Sequence, residues 1–139
     1  MFKKILLAWD GSEHSVRAAK KAIEIATCTE GSHVVVVYVK DTDKSKSEVL
    51  QNWNSIDISS PKEEKIKQID KMAKESNIRY EVETLTGDPG IAIVEYANKH
   101  QFDVVVVGSR GLNTLQEMVL GSVSHKVAKR ANCPVMIIK

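Results

Sequence analysis

Val104-Val105-Val106-Val107-Gly108-Ser109-Arg110-Gly111 is the stretch whose reading decides the fold. Four consecutive β-branched residues leave no polar face, so the strand they form must be covered on both sides. Continuous rather than alternating apolarity of this kind is the mark of a strand inside a parallel sheet. The run then stops at a glycine-punctuated loop. Downstream, Gly121-Ser122 opens a helix with Val127, Ala128 and Ala131 as its inward residues, and Pro134 to Ile138 closes the chain as a strand.

Upstream, Val34 to Val39 is a second nearly continuous β-branched run, and Ile5 to Trp9 is a shorter apolar one that breaks at Asp10-Gly11. Tyr80 to Leu85 alternates as a strand does. Helices fill the intervals. Ser12 is a good N-cap with Glu13 in the first turn, and Val16, Ala19, Ile23 and Ala26 recur at helical spacing. Ser60-Pro61-Lys62-Glu63 combines a cap, a proline suited to the first helical position and a capping box. Asp88-Pro89 starts a third helix in the same way, with Ile91, Val94 and Ala97 on one face. The order is βαβαβαβαβ. Strands alternating with helices imply parallel pairing, right-handed crossovers and helices on both faces of the sheet. The expectation is an α/β three-layer sandwich forming one domain over residues 1–139. Asp41 to Ser59 is polar and irregular and is expected to be a long mobile loop with room for a short helix, in which Trp53 either packs the loop against the body or covers a bound base.

Composition narrows the function. The chain of 139 residues has a formal charge of only +2, and its acidic and basic residues are intermixed, as in Lys62-Glu63-Glu64-Lys65. Nucleic acid and acidic membrane are therefore not expected as partners. No apolar segment approaches the length that spans a bilayer. The opening run ends at Trp9-Asp10, too early for a secretory signal, so the default location is cytoplasmic. Cys28 and Cys133 have no metal-ligand spacing and are expected to be free thiols.

In doubly wound sheets ligands bind beyond the carboxyl ends of strands, where strand order reverses. Two such ends carry unusual chemistry here: Asp10-Gly11-Ser12 after the first strand, and Gly108-Ser109-Arg110-Gly111 after the fourth. Gly108 and Gly111 let backbone N–H groups turn toward an anion. Gly121 allows close approach at the amino end of the last helix, where unpaired N–H groups and the helix dipole attract negative charge. Ser122 and Ser124 add hydroxyl donors, and Arg110 adds a planar cationic fork. This set reads as a phosphate cradle. Asp10 has two readings, as a ligand to the bound molecule or as a cap for the first helix.

The pattern G-x-x-G, nine residues, G-[ST], carried by Gly108, Gly111, Gly121 and Ser122, resembles the ATP-binding signature of the universal stress protein family. Ile5 to Ser15 and Cys133 to Ile138 resemble that family's first strand with its loop and its last strand. The resemblance implies a five-stranded parallel sheet in order 3-2-1-4-5. It implies that Asp10 and Val39 lie at the nucleoside end, and that Val107, Gly108, Arg110, Gly111, Gly121, Ser122, Val123 and Ser124 line the ribose and phosphates. It further implies ATP with Mg²⁺ or Mn²⁺, and a homodimer formed through the last strand. Trp9 departs from the family, many of whose members carry Pro or Val there. Its wide ring is expected to reshape the adenine side of the crevice.

Other chemistries are poorly supported. The first strand is not followed by G-x-G-x-x-G, and there is no G-x-x-x-x-G-K-[ST]. No His, Asp or Glu cluster has metal-ligand spacing. His33 and His100 read as surface residues. His14 and His125 lie nearer the crevice, but no carboxylate is evident to orient either as a base. No catalytic residue is assigned. The expectation is a nucleotide-dependent regulatory module for stress response. The alternative is a slow ATP hydrolase, or an enzyme that phosphorylates itself on Ser122 or Ser124. A ligand-free dimer module is disfavoured by the intact glycine pattern.

Overall fold

The computed structural model describes residues 2–40, 61–109 and 121–139, with the side chains of 61–66 left aside. Elements run in the order β1 (Lys4–Ala8), α1 (Glu13–Thr27), β2 (His33–Lys40), α2 (Pro61–Glu75), β3 (Arg79–Thr86), α3 (Pro89–His100), β4 (Val104–Gly108), α4 (Ser122–Arg130) and β5 (Val135–Ile138). The strands form one sheet in the order β3-β2-β1-β4-β5, and every neighbouring pair is parallel. This is the expected strand order. The order reverses between β1 and β4, where Leu7 is paired with Val106.

Each face of the sheet carries its own core, because successive strand residues point to opposite sides. On one face Ile5, Leu7, Trp9, Val34, Val36, Val104 and Val106 pack against Ala18, Ala22, Ile23 and Ala26 of α1 and against Ile69 and Ala73 of α2. On the other face Leu6, Ala8, Val35, Val37, Val105 and Val107 pack against Ile93, Val94 and Ala97 of α3 and against Val127 of α4. Among the described residues, two helices on each face make the three layers. The alanine-rich stripe of α1 lets that helix sit close to the sheet. Truncating a fully buried side chain such as Leu6 to alanine costs about 2–5 kcal/mol.

Local signals place most helix starts. Ser12 caps α1 by accepting from the Ser15 amide, and Asp88 caps α3 by accepting from the Ile91 amide. Pro61 begins α2 as expected, while Ser60, expected as its cap, lies outside the described residues. Several inward faces differ from expectation. In α1, Ser15 and Ala18 are buried and Val16 is only half-buried. In α3 the buried stripe is Gly90, Ile93, Val94 and Ala97, while Ile91 is 43% exposed. Ile91 stands about 100° around the helix from Gly90, which carries it off that stripe. Ala128 is exposed for the same reason, one residue past the buried Val127. β3 is an edge strand and is largely exposed. The Asp41–Ser59 loop and Trp53 lie outside the described residues.

Candidate nucleotide crevice

The carboxyl ends of β1 and β4 lie side by side, so the Asp10-Gly11-Ser12 loop and the end of β4 flank one place at the switch in strand order. In the first loop, the Asp10 carboxylate accepts from the Ser12 amide at 2.9 Å, and Ser12 Oγ accepts from the Ser15 amide at 3.2 Å. The cap reading of Asp10 is thereby corrected. Ser12 is the helix cap, and Asp10 holds the capping residue in place. Gly11 between them has φ +84°, a conformation a side chain would strain.

Val107 and Gly108 end β4, and Val39 stands near the end of β2. Val39, Val107 and Val123 all pack on the core facing α3 and α4, together with Ala8. Three of the expected site residues therefore belong to one apolar core on one side of the sheet, a floor beneath the strand ends. Ala8 belongs to the same floor and was not singled out in the sequence, because an alanine inside an apolar run carries no local signal of its own.

Gly121 is the N-cap of α4, and having no side chain it supplies no capping acceptor. The first turn holds no acidic residue, and Ser122 at its start is exposed. Such a helix end attracts an anion through its amides and dipole. Its position is set by Ser109. The Gly121 amide donates to the Ser109 carbonyl at 2.7 Å, and the Ser109 amide donates to the Ile138 carbonyl of β5 at 2.7 Å. Ser124, 2% exposed, has its hydroxyl within 3.0 Å of both the Ser109 and the Gly121 carbonyls. That hydroxyl fastens the helix start to the strand end, so its donor is already engaged by backbone.

Gly108 has a packing role that its place in a glycine pattern does not reveal. A Cβ there would lie 2.8 Å from His14 Cβ and 3.0 Å from the His14 carbonyl carbon, so the first turn of α1 rests directly on the strand end. His14 Nδ1 lies 3.4 Å from Ser109 Oγ. His125 is exposed on α4. Arg110 and Gly111 lie outside the described residues.

Trp9 corrects an expectation. Its ring is 3% exposed and belongs to the core facing α1 and α2, tilted against Tyr38 with ring centroids 6.3 Å apart. Val39 and Val107 are on the opposite face. Trp9 follows Leu7 by two residues and therefore shares its side of the sheet. The wide ring does not line the apolar floor.

A second contact crosses at this end of the sheet. Lys126 of α4 reaches Asp88 at the start of α3, with Nζ 3.2 Å from Oδ2. The Asp88 carboxyl is held below the ordinary carboxylate range, first by the Ile91 amide and then by Lys126. Gly90 makes room for this, since a Cβ there would meet the Lys126 side chain at 2.6 Å. Among the described residues no three His, Cys, Asp or Glu side chains come together as a metal site. No described helix is long and apolar enough to cross a membrane.

The family model described as "Universal stress protein family" matches residues 1–139. Universal stress protein MJ0531 of Methanocaldococcus jannaschii is 36% identical, covering 100% of this chain and 83% of the relative. The solved structure of protein MJ0577 is 30% identical with a TM-score of 0.77, covering 100% of this chain and 96% of that one. A universal stress protein crystallised in complex with cAMP is 25% identical with a TM-score of 0.71, covering 99% of this chain and 97% of its own.

Proposed function

The chain belongs to the universal stress protein family, and from that premise we propose that it is an adenine-nucleotide-binding regulatory module whose nucleotide is ATP. The observation that carries this reading is the amino terminus of α4. No side chain caps it, Ser109 fixes it beside the end of β4, and the apolar floor of Val39, Val107 and Val123 adjoins it. An apolar floor suits a base, and an uncapped helix end suits phosphates. A family member in complex with cAMP supports an adenine nucleotide as the ligand class. The glycine pattern completed by Arg110 and Gly111 extends the same reading to a triphosphate.

An accompanying Mg²⁺ or Mn²⁺ would be held through the phosphate oxygens of the nucleotide. In this reading the protein is a sensor or switch rather than a catalyst. The His14 ring stands against Ser109, and the Asp10 carboxylate already holds an amide. The protein acts as a homodimer through β5, which is an edge strand among the described residues and whose four residues are apolar and half-buried. A reducing, cytoplasmic setting accords with two free cysteines, Cys28 and Cys133.

Titration calorimetry of the purified, nucleotide-stripped chain with ATP, ADP and AMP in the presence of Mg²⁺ tests the reading. Saturable ATP binding at micromolar to millimolar concentration is expected, with hydrolysis of labelled ATP no faster than in buffer. Absence of binding at millimolar ATP overturns the nucleotide role. Turnover above buffer overturns the non-catalytic one.

A further inference from the structure

Ser109 is 5% exposed and is the residue at which four elements meet. Its amide is bound to Ile138 of β5, and its carbonyl receives the Gly121 amide and the Ser124 hydroxyl from α4. Its own hydroxyl lies 3.4 Å from Nδ1 of His14, in the first turn of α1. Any residue but proline can make the backbone bonds. The contact with α1 depends on the hydroxyl, which alanine lacks.

We propose that Ser109 and His14 are a positioning pair. Together they set the amino terminus of α4 against the end of β4, and nucleotide affinity depends on them. The physical chain is short. The Ile138 carbonyl fixes the amide side of Ser109, which leaves ψ as the free torsion there. ψ sets where the Ser109 carbonyl points, and the Gly121 amide hangs on that carbonyl. Side-chain rotamer and backbone torsions are coupled, so a hydroxyl held by the imidazole restricts ψ. The imidazole is itself held in place, because α1 is pressed onto Gly108 at the backbone of His14. A separation of 3.4 Å is long for a hydroxyl-to-nitrogen bond. It shortens when α4 is drawn toward a bound anion, and binding thereby gains a contact that the empty crevice makes only loosely. Ser109 is too buried to serve as a nucleophile, so the pair acts through the helix end and not on the ligand.

The inference rests on the crevice being a nucleotide site, and its test keeps the two apart. Amide spectra of the labelled, nucleotide-free chain are compared with those of His14→Ala, His14→Gln and Ser109→Ala. The Gly121 to Ser124 amide resonances are expected to shift in both alanine variants while the melting profile stays cooperative. In ATP titrations each alanine variant is expected to bind roughly three- to tenfold more weakly, the factor that one net hydrogen bond is worth. The double alanine variant is expected to be no weaker than the weaker single one, because both remove the same contact. Ser109→Thr keeps the hydroxyl and restores binding. In the wild type, the His14 ring ¹⁵N shifts are expected to move on ATP addition.

An unmoved Gly121 amide in His14→Ala overturns the pair, whatever the wild type binds. Additive losses in the double variant do the same, as does a Ser109→Thr variant no better than Ser109→Ala. A wild type that takes up no ATP overturns the nucleotide reading, and the amide shifts still decide whether the pair positions α4.

Discussion

Replacing Gly108 with alanine separates packing from the proposed ligand binding at the same residue. The new Cβ would stand 2.8 Å from His14 Cβ, 3.0 Å from the His14 carbonyl carbon and 3.1 Å from its oxygen. Carbon atoms rest about 3.5–4.0 Å apart, so α1 or β4 must move by several tenths of an ångström. Two of the three opposing atoms are backbone in the first turn of α1 and cannot rotate away. Overpacking of this kind costs about 1–3 kcal/mol. Alanine returns about 0.4–1 kcal/mol by reducing the freedom of the unfolded chain. The net loss centres near 1.5 kcal/mol, or a fall of about 3–6 °C in melting temperature for a chain of this size. Thermal unfolding followed by circular dichroism, without nucleotide, is the assay. Gly90→Ala is the comparison. There the nearest atom, Lys126 Cδ at 2.6 Å, can swing aside, while Lys126 Cβ at 3.1 Å is fixed to α4 and must give by a few tenths of an ångström. The exposed ion pair given up is worth about 0–1 kcal/mol and alanine in a helix returns about 1 kcal/mol, so a smaller loss than at Gly108 is expected. A Gly108→Ala protein that melts with the wild type refutes the packing argument. If its ATP affinity falls all the same, the glycine serves the ligand alone.

Three further outcomes follow from particular contacts. Ser124→Ala removes a buried hydroxyl that fastens Gly121 to Ser109 and should cost about 1 kcal/mol in urea unfolding. Asp88→Ala removes the cap of α3 and should cost about 1 kcal/mol. Since the folded Asp88 carboxyl lies below its ordinary value, its contribution is present above the normal carboxylate range and is lost as pH falls through the folded value. Asp88→Asn should keep most of the cap and lose that pH dependence, as read from unfolding between acid and neutral pH. Tyr80 is pushed up to about 12, first by burial and then by its hydrogen bond to Asp70. Its contribution is whole below the ordinary phenol value of 10.0 and is lost as pH rises from there toward about 12. Tyr96 is also raised, first by burial, so phenolate absorbance should show late titration that is reduced, by the component near 12, in Tyr80→Phe.

The sequence makes those features legible whose cause is local. Val104 to Val107 reads as a covered strand because four β-branched residues offer water nothing. Ser12 and Asp88 read as caps because a cap needs only the amides two or three residues ahead. The misreadings at Ile91 and Ala128 have a different origin. Their neighbours decide how far round the helix the buried stripe extends, and α3 packs on α4 as well as on the sheet. The side taken by Trp9 is fixed by parity along β1, but which helices cover that side is a tertiary matter. Gly108 and His14 are far apart in the chain, so no reading of either alone shows that one exists to receive the other. Ser109 occupies an unspecified position of the G-x-x-G pattern, and nothing in the sequence marks it as the meeting point of four elements.

The two edges of the sheet are built differently, and the difference bears on how nucleotide could be read by a second molecule. β3 exposes Arg79, Glu81 and Glu83, charges that blunt an edge against further pairing. β5 carries Val135, Met136, Ile137 and Ile138, none charged and all half-buried, so its edge is the one suited to a second copy. The last residue of that strand accepts a hydrogen bond from Ser109, the same residue whose carbonyl holds the cap of α4. The helix end that suits the phosphates and the edge that suits a partner are therefore one residue apart. On the proposed function, a displacement of α4 on binding would change the torsion of Ser109, and Ser109 is bonded to the strand proposed to form the interface. Coupling between the two sites then requires no long network, only a peptide unit whose amide serves the edge and whose carbonyl serves the crevice.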